Sequence, residues 1–263
     1  MTPQSLLAHY DSGLAWPATA APSQEMAAAY RSALAVRALR IERGEVPAGF
    51  KIGFTNRGIW ARYNVAAPIW GTVWDTTLSF CEGQGTVSLE RCCQPRLEPE
   101  VVFGFRSAPG PEPSLQELFE CIDWMAPGFE VVQSHRPDWK FSAADTVADG
   151  GLHGHLLVGA RSTVREWASD ASELERQLVA AGVQLSRGGD EVERGQGGNV
   201  LDGPLSALRH FVLELYQCAD APRLKAGDVV TTGTWTDAWP VALGESWKAG
   251  FSTPLGPLEV HFT

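Results

Sequence analysis

The 263-residue chain has no apolar run near the roughly 20 residues that cross a bilayer, so no membrane span is expected. Its first residues, MTPQSLLAHYDSGLAWP, lack a basic n-region and a long apolar stretch, and do not read as a signal peptide. No CxxC pair occurs. The five cysteines, at positions 81, 92, 93, 121 and 218, are odd in number and two of them are adjacent. That pattern reads as reduced structural thiols in a cytoplasmic protein and argues against a thiolate zinc site. Positive charge is scarce as well: 21 Lys and Arg stand against 31 Asp and Glu, and the net charge of −10 argues against nucleic acid or an anionic membrane as partner. There is no internal repeat and no low-complexity segment. What remains is a globular composition, 44% hydrophobic and 20% charged, suited to one large domain or to a main domain with a smaller N-terminal helical part. An acidic protein that handles a small anion must concentrate positive charge locally, by a metal or by lysine.

Hydrophobic spacing predicts a helix over 23–44 ending at Gly44, then a short buried strand, AGFKIGF, over 48–54. Residues 55–96, rich in Trp, Gly and Pro, read as irregular. Ser114 and Glu117 form a capping-box signature for a helix over 114–125, and Thr163 and Glu166 repeat it for a helix over 163–182 with Gly182 as its C′ residue. Strands are expected over 128–134 and 152–160, a polar hairpin turning at Gly188-Gly189-Asp190, and a helix over 204–218 with Pro204 in its first position. The C-terminal GDVVTTGTW and ESWKAGFSTPLGPLEVHF supply further strands. Strands are mixed with a few helices without regular βα alternation, which predicts an α+β, largely antiparallel fold and not a doubly wound sheet. The expected division is an N-terminal helical segment, 1–47, and a catalytic domain, 48–263.

LEPEVVFGF, residues 97–105, opens an apolar strand with Glu98 and Glu100, which point to the same face. Burying two adjacent carboxylates costs hydration and adds repulsion, so a basic partner, a metal or solvent must compensate. Alone, the pair fits an exposed strand edge, which Pro99 suits. Glu130, on an apolar strand about 30 residues after Glu100 with a helix between, supplies a third carboxylate. Three carboxylates with no nearby His or Cys set make a hard-oxygen site of the kind that takes Mg²⁺ or Mn²⁺.

KIGFTNRG, LEPEVVFGF, PGFEVVQSHRPDWKFSAADTVADGG and GDVVTTGTW, taken in order, resemble the 2-keto-4-pentenoate hydratase / 4-oxalocrotonate decarboxylase branch of the fumarylacetoacetate hydrolase superfamily, over roughly residues 25–263. The resemblance implies a β-roll core, a divalent metal on Glu98, Glu100 and Glu130, pyruvate-like 2-oxo or 2-enol acid substrates, and a homo-oligomer. It places the motif lysine at Lys51 and the acidic residue after that motif at Asp75. Where the branch usually reads E-V-V-D-S-R and A-D-N-A-S-S, this chain has Gln133 and His135, and Gly150-Gly151-Leu152-His153.

Lys51 is expected to bind the substrate carboxylate or donate a proton; its bland alternative is a lysine snorkelling from a strand. His135 reads as a general base for water or as an ordinary loop histidine. Gln133 falls at a position that faces the substrate or supports the groups that do. Lys140 holds a ligand carboxylate or forms a simple ion pair, and Asp75 orients a lysine or water. Thr234 and Thr236 bind substrate or are plain strand threonines, while His153 and His155 read as structural. The implied activity is hydration of a 2-hydroxy-2,4-dienoate to a 4-hydroxy-2-oxo acid through a metal-stabilised enolate, in aromatic-compound degradation. The alternatives are an acylpyruvate-type C–C hydrolase of the fumarylpyruvate or maleylpyruvate kind, a 4-oxalocrotonate-type decarboxylase, or a non-catalytic paralogous subunit.

Overall fold

The computed structural model describes residues 1–23 and 25–263. Its helices are α1 (Pro3–Ser12), α2 (Met26–Glu42), α3 (Trp60–Tyr63), α4 (Leu115–Cys121), α5 (Ala143–Ala148), α6 (Ala171–Ala180) and α7 (Pro204–Gln217). The first strands are β1 (Pro47–Gly53), β2 (Ile69–Trp74), β3 (Leu78–Phe80), β4 (Gln84–Val87), β5 (Arg96–Phe105), β6 (Ile122–Val132) and β7 (His153–Val158). They are followed by β8 (Ser162–Thr163), β9 (Gly182–Arg187), β10 (Asp190–Gln196), β11 (Val229–Thr231), β12 (Trp239–Pro240), β13 (Ser246–Phe251) and β14 (Leu258–Phe262). Among the described residues no helix is long and apolar enough to cross a membrane.

Two sheets form. The larger runs β2-β1-β11-β5-β6-β7-β3, with β12 on β5 and β8 on β6; the smaller runs β10-β9-β13-β14-β4. Most pairs are antiparallel, and β1–β11, β3–β7 and β14–β4 are parallel, so the fold is the expected mixed one. The main core gathers Phe103, Phe129, Leu208, Phe211, Trp235 and Trp247 from both sheets, α7 and the loop after β11, all fully or almost fully buried. Helix α7 supplies its share through Leu205, Leu208, Val212 and Leu215, one stripe at helical spacing, and Pro204 opens it. A second cluster joins Leu6, Trp16, Ala29 and Val36 to Ile69 of β2 and to Ala144, Val147 and Ala148 of α5. The N-terminal helices are thereby seated over the strand and helix that flank the site.

Several expected boundaries move. Helix α4 keeps its Ser114 cap, whose side chain accepts from the Glu117 N–H, but stops at Cys121, because Ile122–Val132 pairs with β5 along its length. The helix expected over 163–182 begins only at Ala171. Thr163 instead pairs with Trp124 in the sheet, and Asp170 caps the helix by accepting from the Glu173 N–H. Gly182 starts β9 and is not a helix cap. The stretch 55–96 holds α3, β2, β3 and β4, strands too short and too rich in Gly and Trp to show a period. Helix α1 is capped by Thr2 and ends at Gly13, whose φ of 66° is left-handed.

Candidate active site

The register of the large sheet assembles the site. Glu98 on β5 lies directly opposite Glu130 on β6, and Glu100 shares the face of Glu98 two residues on. Thr231 of β11 pairs with Val102 on one side and Lys51 of β1 on the other, which carries that same face across two more strands. A register shift in β7 opposite Val131 and Val132 pairs His153 with Val132 and brings it onto the face as well. Five strands thus aim one basic, three acidic and two hydrogen-bonding side chains at a common point.

The three carboxylates offer ligand oxygens that all lie within 4.8 Å of one another. Glu100 and Glu130 are fully buried, and Glu98 is half-buried at the cavity wall. Lys51 Nζ stands 3.1 Å from Glu130 Oε2, and His153 Nδ1 lies 2.9 Å from Glu130 Oε1. The other imidazole nitrogen meets Thr77 Oγ1 at 2.8 Å, so His153 is held from both ends. Glu100 Oε2 accepts from the Thr231 hydroxyl and, at 2.7 Å, from the Gly233 N–H. Gly233 has φ 106°, and a Cβ there would sit 1.9 Å from Thr55 Oγ1, so only glycine presents its N–H this way. Among the described residues Glu100 Oε1 is buried with no hydrogen-bond partner. An orphaned carboxylate oxygen inside an all-oxygen triad is what a hard divalent cation satisfies, so these residues fit Mg²⁺ or Mn²⁺.

The electrostatics agree. Burial pushes the Glu100 carboxyl well above the usual range, with repulsion from Glu130 and Glu98 adding to it. Burial likewise raises Glu98 to about 7, against the pull of Lys51. Burial would raise Glu130 too, but Lys51 and the His153 hydrogen bond outweigh it and hold the group below its ordinary value. Burial would lower Lys51, yet the attraction of Glu130, Glu98 and Glu100 raises it, so the ammonium stays charged at neutral pH.

A cavity of about 160 Å³ opens beside this cluster, lined by Lys51, Glu98, Gly233 and Thr234 and by apolar residues that include Phe54, Tyr63, Trp139 and Phe141. Of the other expected site residues, few arrive here. His135 is fully buried elsewhere: its Nδ1 meets Asp149 Oδ1 at 2.7 Å, its backbone N–H donates to Asp149 Oδ2, and Tyr10 and Trp16 pack on its ring. It locks the N-terminal segment to the body and does not face the cavity. Gln133 has both amide ends engaged, accepting from the Cys93 N–H and donating to the His153 carbonyl, so it supports β7 and not a substrate. Lys140 is 82% exposed and pairs with Asp138 at 3.3 Å. Asp75 is exposed and accepts from the Val46 N–H, closing a turn. Thr236 donates to the Asp237 carbonyl and only its N–H reaches Thr234 Oγ1, which leaves Thr234 as the one of this pair on the cavity, beside Thr55 and Thr146. The sequence marks His153 only as structural and gives Thr231, Gly233 and Thr77 no role; the pairing of β11 with β5 and the register shift in β7 bring them to the site.

No protein-family model matches the chain. It is 30% identical over 245 residues, 92% of this chain and 88% of the relative, to the 2-hydroxyhexa-2,4-dienoate hydratase of Comamonas testosteroni. The chain belongs to the 2-keto-4-pentenoate hydratase / 4-oxalocrotonate decarboxylase branch of the fumarylacetoacetate hydrolase superfamily. A further member of this branch, the 4-oxalocrotonate decarboxylase of Pseudomonas putida, is 29% identical over 243 residues, 92% of this chain and 87% of its own. A solved 4-oxalocrotonate decarboxylase from Pseudomonas putida G7, complexed with magnesium and adipate, superposes with a TM-score of 0.85 at 25% identity, covering 100% of this chain and 99% of that one. The fumarylpyruvate hydrolase of Pseudomonas aeruginosa, in complex with Mn²⁺ and pyruvate, shares the superfamily fold at a TM-score of 0.61 and 15% identity, over 81% of this chain and 88% of that one.

Proposed function

We propose that this branch member is a Mg²⁺- or Mn²⁺-dependent hydro-lyase that adds water to a 2-hydroxy-2,4-dienoate and releases a 4-hydroxy-2-oxo acid, as in aromatic-compound degradation. The observation that carries the reading is the Glu98–Glu100–Glu130 triad, two of its members fully buried, with Lys51 3.1 Å from Glu130 at the wall of a largely apolar cavity. A divalent ion on the triad would supply Lewis acidity to the 1-carboxylate and 2-oxygen of such a substrate. Lys51, kept cationic by the surrounding carboxylates, binds the substrate carboxylate and fixes its orientation; a raised pKa suits a permanent ammonium better than a base. Thr234 lines the same cavity and offers its hydroxyl to the substrate. His153 and Thr77 keep Glu130 turned toward the site.

His135, the residue on which the C–C hydrolase alternative leans, is committed to Asp149 outside the cavity, which favours hydration over water attack on a remote carbonyl. We infer in addition that the enzyme acts as a cytoplasmic homo-oligomer, a reading supported by its family and tested by sedimentation. Purified, Mg²⁺-loaded protein offered 2-hydroxypenta-2,4-dienoate should accumulate 4-hydroxy-2-oxopentanoate. Pyruvate release from an acylpyruvate, or CO₂ release from 4-oxalocrotonate, without any hydration would overturn the assignment.

A further inference from the structure

The cavity divides by chemistry. Among the described residues that line it, Lys51 is the only cation and Glu98 the only anion, and both belong to the carboxylate cluster. The rest of the wall is dominated by rings and aliphatic groups. Phe54 packs on Tyr63 with centroids 5.0 Å apart, Tyr63 stacks on Phe141 at 5.7 Å, and Phe141 meets Trp139 at 5.9 Å, an unbroken chain of four rings. Ile59 and Ile69 complete the apolar surface. Phe54 and Trp139 hold left-handed backbone, with φ of 56° and 58°, a conformation that non-glycine residues keep only where their surroundings enforce it. Two of the four rings are therefore presented to the cavity by strained backbone.

The nearby cations do not serve this wall. Lys140 is paired with Asp138 in solvent, and Arg62 and Arg96 lie over the rings of Tyr63 and Trp139, 5.4 Å and 4.3 Å from their centroids, without lining the cavity. A substrate whose 2-oxo acid end is taken by Lys51 and the triad must lay its remaining carbons against this wall. A second carboxylate there would lose its hydration, find no ammonium or guanidinium, and face the acidic cluster.

We propose that this part of the site takes an uncharged hydrocarbon substituent, alkyl or aryl, and selects monocarboxylic dienoates with an apolar tail against dicarboxylates. The inference rests on the hydratase reading for the position of the acid end, and it adds Tyr63, Trp139 and Phe141 as specificity-determining residues.

Two measurements separate the tail from the reaction. Calorimetric titration of the Mg²⁺-loaded protein compares 2-oxohexanoate with 2-oxoadipate, a matched pair differing in a terminal methyl or carboxylate. The methyl compound should bind at least about tenfold more tightly. Turnover of 2-hydroxy-2,4-dienoates ending in methyl, phenyl or carboxylate should follow the same order, with the carboxylate lowest in kcat/KM. Trp139→Ala, checked for native folding by circular dichroism, should shrink the binding preference toward unity. If hydration proceeds but the carboxylate-terminated compounds bind or react as well as the apolar ones, the tail proposal fails while the hydratase reading stands. If apolar 2-oxo acids bind preferentially but no dienoate is hydrated, the reaction assignment fails and the tail proposal survives. A preference unchanged in folded Trp139→Ala would also sink the proposal, because the ring wall would not be its source.

Discussion

Lys51→Met tests the electrostatic logic of the site, because it should move stability and metal affinity in opposite directions. Methionine keeps the apolar stem in its strand and removes the charge. At 3.1 Å from Glu130 Oε2, the ammonium contributes about 5 kcal/mol of attraction at an effective dielectric of 20, of which its own desolvation cancels a part. The metal-free variant relieves the loss by protonating Glu130. From that group's ordinary value of 4.5, uptake at pH 7 costs about 3 kcal/mol, and at pH 5.5 about 1.4 kcal/mol. The sign follows. In the wild type Glu130 is depressed and its contribution is lost as pH falls, whereas in the variant the folded state holds a proton that the unfolded state releases as pH rises. The stability gap in urea titrations of EDTA-treated protein should therefore widen from about 1.4 kcal/mol at pH 5.5 to about 3 kcal/mol at pH 7. Mn²⁺ should meanwhile bind the variant more tightly, by at least about tenfold, since a cation no longer occupies Glu130. Turnover should fall by about a hundredfold or more as the substrate carboxylate loses its partner. A stability gap that does not change with pH, or weaker Mn²⁺ binding in the variant, would refute the argument.

Four further substitutions probe the surroundings. Glu100→Ala should abolish divalent-metal binding and activity with the fold intact, and metal-free stability should hold or rise because a buried, partly orphaned carboxyl is gone; metal analysis and thermal unfolding decide it. His153→Phe should release Glu130 and weaken Mn²⁺ affinity by about 10–100-fold in calorimetry, with a comparable loss of kcat/KM. His135→Asn should cost about 1–3 kcal/mol of stability through the lost Asp149 contact yet leave the pH profile of kcat/KM in place; an acidic limb that vanished in the variant would restore His135 as a base. Burial, with His153 and Arg40 adding to it, lowers His155 to about 4, so its neutral form contributes up to about 3 kcal/mol that is present above pH 6.5 and lost as pH falls toward 4. In His155→Asn that part of the acid destabilisation should disappear from urea midpoints measured between pH 7 and pH 4.5.

Much of this was legible because it is local. The capped helix at Ser114, the proline-led α7 and the glycine turn at 188–189 each announce themselves within a few residues. So does the acidic pair of β5, since same-face spacing in a strand needs no partner to be recognised. The misreadings have a common cause, which is tertiary pairing overriding a local signal. Thr163 satisfies a capping motif but takes a sheet partner in Trp124, and the Ile122–Met125 run continues a helical stretch until β5 claims it. Gln133 and His135 stand where the resembling branch carries Asp and Arg, and the motif alone leaves open whether they face the substrate or support the structure around it. Yet the strand ends at Val132, and beyond it side chains no longer alternate across the sheet; Gln133 turns to Cys93 and His135 to Asp149.

The answer to why an interior strand begins with two glutamates lies in that sheet. Register leaves Glu98, Glu100 and Glu130 no alternative but to meet, and one lysine cannot neutralise three carboxylates. Without a cation, then, folding requires Glu100 to hold its proton and leaves one of its oxygens unpaired at the centre of the protein. No packing argument favours this arrangement, since an apolar residue at position 100 would suit its fully buried surroundings better. The fixed donors around the site, the Gly233 N–H, the Thr231 hydroxyl and His153, orient the carboxylates without neutralising them. They prepare a negative pocket of set shape, whose deficit a divalent ion fills and whose single ammonium is left to meet the substrate.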